Sequence, residues 1–416
     1  MGVVSTFRTA VGLTGGRVLT WSLLGRLPNA MCPIGSLLLV THDSGSVWHG
    51  SAATGLLALA QAVGGPPLGR LADRHGQRRV GLAAALVNAL AILALVGASQ
   101  AGLPFWVQLA CAATIGASVP LVGPLSRSRW VHLAAGDTAA TSAALSVDGL
   151  VDEISFTTGP AVVGLLATAL DPAAGLLLAA ALVGSCGTLF ALHPTAAPGR
   201  GRPRHRAAEP LVNTPYALLL AATALLGVCF GSVQVGVTAT TAALGHAGAA
   251  GLIYGLLGGA SALAGLVTAA LPARLGLPLR LRAGTALLLT ASLPLPAVGS
   301  VSTLTLAVGG LGLAVAPQLI TIFGLTERTV PAGRLGEAMA ALVSAITLAQ
   351  ALGTLTAGWV ADHYGPTAPF RVTAAAAAAA LLLAAATATE QRYCRREFTP
   401  LTKAQPRERH SSASMP

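Results

Sequence analysis

Residues able to do chemistry are few in this chain, because most of it is apolar. Arg26, Asp152 and Glu153 fall inside long apolar runs, and Asp148 lies one turn before the two acids, where it is expected at the edge of the run. A charge at the centre of a bilayer costs ~2.5–3.5 kcal/mol on insertion scales, so it needs a partner or a function. Two acids and one arginine leave a carboxylate over. Low dielectric raises a carboxyl pKa toward neutrality, which suits such a group to proton exchange. Arg26 is therefore expected to pair with one of Asp152 and Glu153 while the other exchanges a proton; the competing reading is a purely structural ion-pair network at one mouth of the molecule. Other chemistries lack their residues. There is no Gly-Lys-Ser/Thr phosphate loop, no His-Glu-x-x-His and no soluble stretch long enough for a nucleotide site, so no enzyme and no cofactor is expected. His42, Asp43 and His49 cluster without a diagnostic metal-ligand spacing, and the five cysteines show no paired spacing.

The elements that must position these groups follow from composition. At 54% hydrophobic and 9% charged residues, against about 25% charged in an ordinary soluble domain, the chain is built for lipid. A net charge of +11 would suit nucleic acid only if a soluble face carried it, and there is almost none. Twelve apolar runs read as spans: about 18–40, 50–69, 80–99, 104–124, 145–170, 173–193, 215–240, 249–271, 283–299, 302–325, 337–361 and 367–389. All 25 basic residues except Arg26 and Arg371 then fall on one side. By the positive-inside rule both termini are expected in the cytoplasm. The first run carries Arg26 and two prolines and leads into a multispan chain, so it is not read as a cleavable signal.

A Pro, Gly and Arg-rich linker, 194–214, separates two six-span halves, 18–193 and 215–389; residues 1–17 precede them, and a basic tail, 390–416, expected to be disordered and close to anionic lipid, follows. At an offset of 200, Gly55-Leu56-Leu57 aligns with Gly255-Leu256-Leu257, and Leu71, Arg74 and Gly76 align with Leu271, Arg274 and Gly276. This is the mark of an internal duplication. Ala273 stands in the second copy where the first has Asp73.

Between spans 2 and 3 lies Gly69-Arg70-Leu71-Ala72-Asp73-Arg74-His75-Gly76-Gln77-Arg78-Arg79. Gly69 is read as ending a helix at a close backbone approach, and Gly76 as supplying the positive backbone angle of a sharp reversal. Charge sidedness explains the arginines but not their order with Gly and Asp. That order resembles the signature loop between helices 2 and 3 of the major facilitator superfamily of secondary transporters. One position departs, since the family usually has a basic residue where this chain has Gln77. Pro317-Gln318, Gly336-Glu337 and the run Gly358-Trp359-Val360-Ala361-Asp362-His363-Tyr364-Gly365 extend the resemblance over about residues 15 to 390. It implies an all-α integral membrane fold of twelve transmembrane helices in two pseudo-symmetric six-helix bundles. It also implies a gating loop (Gly69, Asp73, Arg74, Gly76, Arg78, Arg79) that latches the halves, with Asp73 facing the start of helix 11.

Span 5 carries Gly159-Pro160 and, further on, Gly164. Pro160 must bend the helix, and the glycines permit close packing. The element resembles the Gly-Pro motif of helix 5 in drug/proton antiporters, with Ser146, Ser155 and Val163 where that pattern wants glycine. Antiporters of that type usually carry an arginine in helix 4, four residues before a glycine; here Ala112 precedes Gly116, and Arg26 is the arginine left to substitute. In the family, spans 1, 4, 7 and 10 line the pathway, which here offers Asn29, Thr114, Gln234 and Gln318, with Ser118 and Thr238, among apolar residues. Such a lining suits an uncharged, amphipathic or cationic substrate. The expected protein is a monomeric, proton-coupled exporter of a small organic molecule in a bacterial cytoplasmic membrane, in contact with lipid and not nucleic acid. The alternatives are an uptake symporter or facilitator and a non-transporting sensor or scaffold; a latch, needed only if the halves move, disfavours the last.

Overall fold

The computed structural model describes residue 12 and residues 15–134, 137–196, 213–269, 275–330 and 334–397. Most of the linker and the end of the basic tail lie outside these residues. The elements in order are α1 (Gly16–Ser44), α2 (Val47–His75), α3 (Gln77–Gln100), α4 (Phe105–Ala117), α5 (Val122–Leu133) and α6 (Thr138–Ala169). There follow α7 (Pro172–Leu192, with a π turn over Val183–Gly187), α8 (Thr214–Ala243), α9 (Ala249–Ala269), α10 (Leu277–Ser292), α11 (Val301–Thr329), α12 (Leu335–Tyr364) and α13 (Pro369–Glu397). No strand occurs among the described residues.

Nine spans among the described residues are long and apolar enough to cross a membrane, with α4 and α5 together forming one of them, Phe105–Trp130. The apolar part of α13, Pro369–Ala385, is a shorter tenth, and α2 and α10 complete twelve. Backbone satisfaction within lipid is what forces every span to be helical. The two halves repeat one plan: α3 opens at Gln77 and α10 at Leu277.

Local chemistry sets the ends. Asp137 caps α6, its carboxylate accepting from the Ala140 N–H at 3.0 Å. The span expected at 283–299 instead begins at Leu277, because Pro278 initiates a helix in its first turn, and it stops before Pro294, which cannot continue one. Span 4 is broken: α4 ends at Ala117, and Ser118 to Leu121, with Pro120, separate it from α5. The last helix runs on to Glu397, past the expected start of the tail.

In lipid no hydrophobic force draws helices together, so close contact depends on small residues. Within the second half α8 and α12 are stitched by Gly227 on the Ile346 carbonyl, Gly231 on the Gln350 carbonyl, and Gly353 on Val228. Within the first, Gly116 of α4 sits on the Leu57 carbonyl of α2, and Gly25 of α1 faces Gly187 of the π turn.

Candidate functional site

Charge inside the first half is gathered on Asp148. It is 1% exposed. Its Oδ1 accepts from Arg26 Nη2, from Ser126 Oγ at 2.7 Å and from Trp130 Nε1 at 3.1 Å, while Arg127 Nε donates to Oδ2 at 3.1 Å. Arg26 Nη1 donates to Asp152 at 2.8 Å and to the Asp148 carbonyl at 3.1 Å, and Arg127 Nη2 also reaches Asp152. Two guanidinium groups thus face two carboxylates across α1, α5 and α6, and the cluster is electrically balanced.

Arg26 meets Asp152, one of the two acids from which its partner was expected, and also Asp148. Asp148, expected at the edge of the run, is buried by protein there, because Ser126 and Trp130 of α5 close over it. One expectation is corrected: Arg127 and Arg129, which fall in the loop between the expected spans 104–124 and 145–170, lie on α5, which starts after Pro120 and Leu121. The signal for this was the alternating Ser126-Arg127-Ser128-Arg129-Trp130 just after a proline break.

Glu153 has no hydrogen-bond or ion-pair partner among the described residues. Thr157, one turn further along α6, meets α9: a Cβ on Gly258 would stand 3.1 Å from its Oγ1. Glu153 shares that helix face, one turn nearer the arginine-rich end.

Arg129 is 1% exposed and takes a different partner set. Its Nε donates to Gln77 Oε1 at 2.8 Å, Nη1 donates to the Phe190 carbonyl at 2.9 Å, and the guanidinium lies 3.8 Å over the Phe190 ring. Gln77, where the family usually has a base, is here the acceptor that a buried arginine needs. Nearby, outside the spans, burial and the Arg129 charge hold the His193 imidazole below its ordinary pKa.

The gating residues share one junction. Helix α2 continues through the whole stretch to His75, so Gly69 lies inside a helix rather than at its end. A Cβ on Gly69 would only touch Leu121, at 3.7 Å, which corrects the expected close backbone approach. Gly76 alone separates α2 from α3, at φ 90°, its N–H bonded to the Ala72 carbonyl at 3.0 Å. Asp73, Arg74, Arg78 and Arg79 are exposed, and none has an ion-pair partner among the described residues.

At the opposite end the halves touch along two seams. In the first, α2 meets α12: a Cβ on Gly55 would lie 2.6 Å from Leu355 Cγ, and Gly358 abuts Ser51. In the second, α6 meets α9: Gly164 is 2.6 Å, by the same measure, from the Leu252 amide nitrogen, Gly251 abuts the Pro160 carbonyl, and Gly255 faces Thr157 and Ala161. Gly55 and Gly255, matched by the duplication, therefore serve equivalent seams. Asp362 spans the first, accepting from Ser46 Oγ at 2.8 Å and from the Trp48 N–H at 3.2 Å. Gly159 packs on α1, its added Cβ falling 2.8 Å from Ala30 Cβ.

The cavity candidates are dispersed. Asn29 accepts from Gln61 at 3.0 Å in a small pocket lined also by Pro28, Asn88, Val119 and Pro120. Thr114 is exposed and bonds its own helix at Ala110. Gln234 and Gln318 are buried, and Gln318 backs onto Gly284 of α10.

Comparison with known proteins agrees with this architecture. A peptide transporter POT in complex with sulfate superposes with a TM-score of 0.63 at 16% identity, covering 95% of each chain. The nucleoside transporter NupG gives 0.68 at 16% identity, over 91% of this chain and 98% of that one. A POT family transporter in complex with 5-aminolevulinic acid gives 0.69 at 14%, over 92% and 96%. No curated protein matches the sequence. The sequence profile of the Major Facilitator Superfamily matches residues 29–341, and the chain belongs to that superfamily.

Proposed function

We propose that the protein is a secondary active transporter that moves a small organic molecule by alternating access. The observation that carries this reading is an asymmetry of contact among the described residues: the halves meet along two glycine seams at one end, while Asp73 and its arginines have no ion-pair partner at the other. By charge sidedness the open, arginine-rich end faces the cytoplasm of a bacterial cell. The transporters of similar fold include one solved with 5-aminolevulinic acid, which supports a small organic substrate.

We further infer proton-coupled export, with Glu153 as the exchanging carboxyl. The Arg26, Arg127, Asp148 and Asp152 cluster balances its own charge, so Glu153 is the surplus acid, and its register on α6 turns it toward the other half. A second reading, uptake symport or facilitated diffusion, draws support from Ala112, which stands where the antiporter pattern has arginine.

The test is proton and substrate flux in proteoliposomes of the purified protein with a pH-sensitive dye and a panel of lipophilic cations, antibiotics and neutral metabolites. Coupled export requires substrate-dependent proton flux that Glu153→Gln abolishes. Substrate flux without proton flux, in either protein, would establish the facilitator instead.

A further inference from the structure

The seams differ in one respect. The α6–α9 seam is made of small residues, and Leu165 stands on α6 where α12 has Asp362 when the two helices are aligned from their first residues. The α2–α12 seam has a carboxylate near each end. Helix α2 closes with Gly69-x-x-x-Asp73-x-x-Gly76 and α12 with Gly358-x-x-x-Asp362-x-x-Gly365. The terminal glycines adopt the same backbone: Gly76 has φ 90° and Gly365 φ 98°, and each N–H bonds four residues back, to Ala72 and Ala361, at 3.0 Å. The two helices run in opposite directions, so the closing aspartate of each lies at the same end of the molecule as the opening turn of the other.

Only one of these contacts is made in this state. Asp362 meets Ser46, the N-cap of α2, and the Trp48 amide in the first turn. This is the standard remedy for unsatisfied helix N–H groups, and it adds a favourable charge at the positive end of the helix dipole. Here the cap is supplied by the other half of the molecule. At the arginine-rich end, Asp73 is exposed, and the first turn of α12 has no side-chain cap among the described residues; Arg334 Nη2 donates to Glu337 at 2.9 Å without reaching a first-turn N–H.

We propose that Asp362 is a positioning residue of the transport cycle. Docked on the N-terminus of α2, it holds the end opposite the arginine-rich loop closed, and its release is matched by docking of Asp73 at the other end. The proposal rests on the alternating-access reading. The two latches exclude each other because α2 and α12 are each rigid rods that tilt against one another, whereas the α6–α9 seam, which has no such carboxylate, opens and closes by packing alone.

The experiment places paramagnetic labels on the full chain, in a background without native cysteines, at His42 and Tyr364 for one end and at Arg74 and Arg328 for the other. Interlabel distances are then measured in lipid nanodiscs. Asp362→Ala is expected to raise the population separated at the His42/Tyr364 end by about two- to fivefold, the worth of one carboxylate at a helix N-terminus. Asp362→Glu restores the parent distribution, and Asp73→Ala shifts it the opposite way; a general loss of stability would not reverse sign between the two variants. Gly358→Ala, which fills the seam, is the reference. If Gly358→Ala moves the distribution and Asp362→Ala does not, the latch is overturned while alternation stands. If no variant moves it, alternation itself is overturned and the latch with it.

Discussion

A single carboxylate shows how burial decides worth. Asp148 accepts from four side chains while 1% exposed, and removing one member of a buried ion pair leaves its partners charged in low dielectric. Asp148→Asn is therefore expected to cost about 3–5 kcal/mol in detergent unfolding, with Asp152→Asn, at a 26% exposed side chain, costing less. Gln77 gives a second expectation. Gln77→Arg restores the base usual in the family but sets it against the Arg129 guanidinium, and such like-charge contacts cost several kcal/mol; a lower unfolding temperature than the parent's is the outcome to check. His193 supplies a pH dependence. Its folded pKa lies below that of the unfolded chain, so the unfolded state binds the proton first, and stability falls as pH drops through about 6.5 before levelling off below the folded value. His193→Gln should flatten that part of the profile of unfolding temperature against pH.

At the scale of elements, glycine placement sets which surfaces can touch. Gly251→Ala puts a methyl group against the Pro160 carbonyl and Gly164, so it should open the α6–α9 seam and lengthen label distances at that end. A glycine facing no other helix, such as Gly97, should tolerate alanine without such a shift. Much of this layer was legible in the sequence. Apolar runs marked the spans, since lipid tolerates no other backbone arrangement, and Gly76 marked the reversal, because few other residues take its positive φ. What stayed hidden had a physical cause. Helix α5 is short, polar and arginine-bearing, so it reads as loop until its contacts with Asp148 are known. Asp148 itself looked interfacial because depth was counted along one helix, and a neighbouring helix can bury a residue at any depth.

For the whole molecule, the duplication and its breakage matter together. Gly55 and Gly255 keep the two seams alike, while Asp73 and Asp362 survive only on the α2–α12 pair, so one pair of helices carries polar fastenings and the other slides on packing. The balanced cluster of Arg26, Arg127, Asp148 and Asp152 has an electrical consequence. A membrane potential does work of ~2.3 kcal/mol per elementary charge per 100 mV, but a group of zero net charge moving as a body within one half carries no current. Among the described residues, Glu153 lies inside α6 without an ion-pair partner, so the field acts on it when it is ionised and not when it is protonated. Reorientation of the empty carrier should then respond to voltage more steeply at alkaline pH, and that part of the response should fall as Glu153 takes up its proton and be missing in Glu153→Gln.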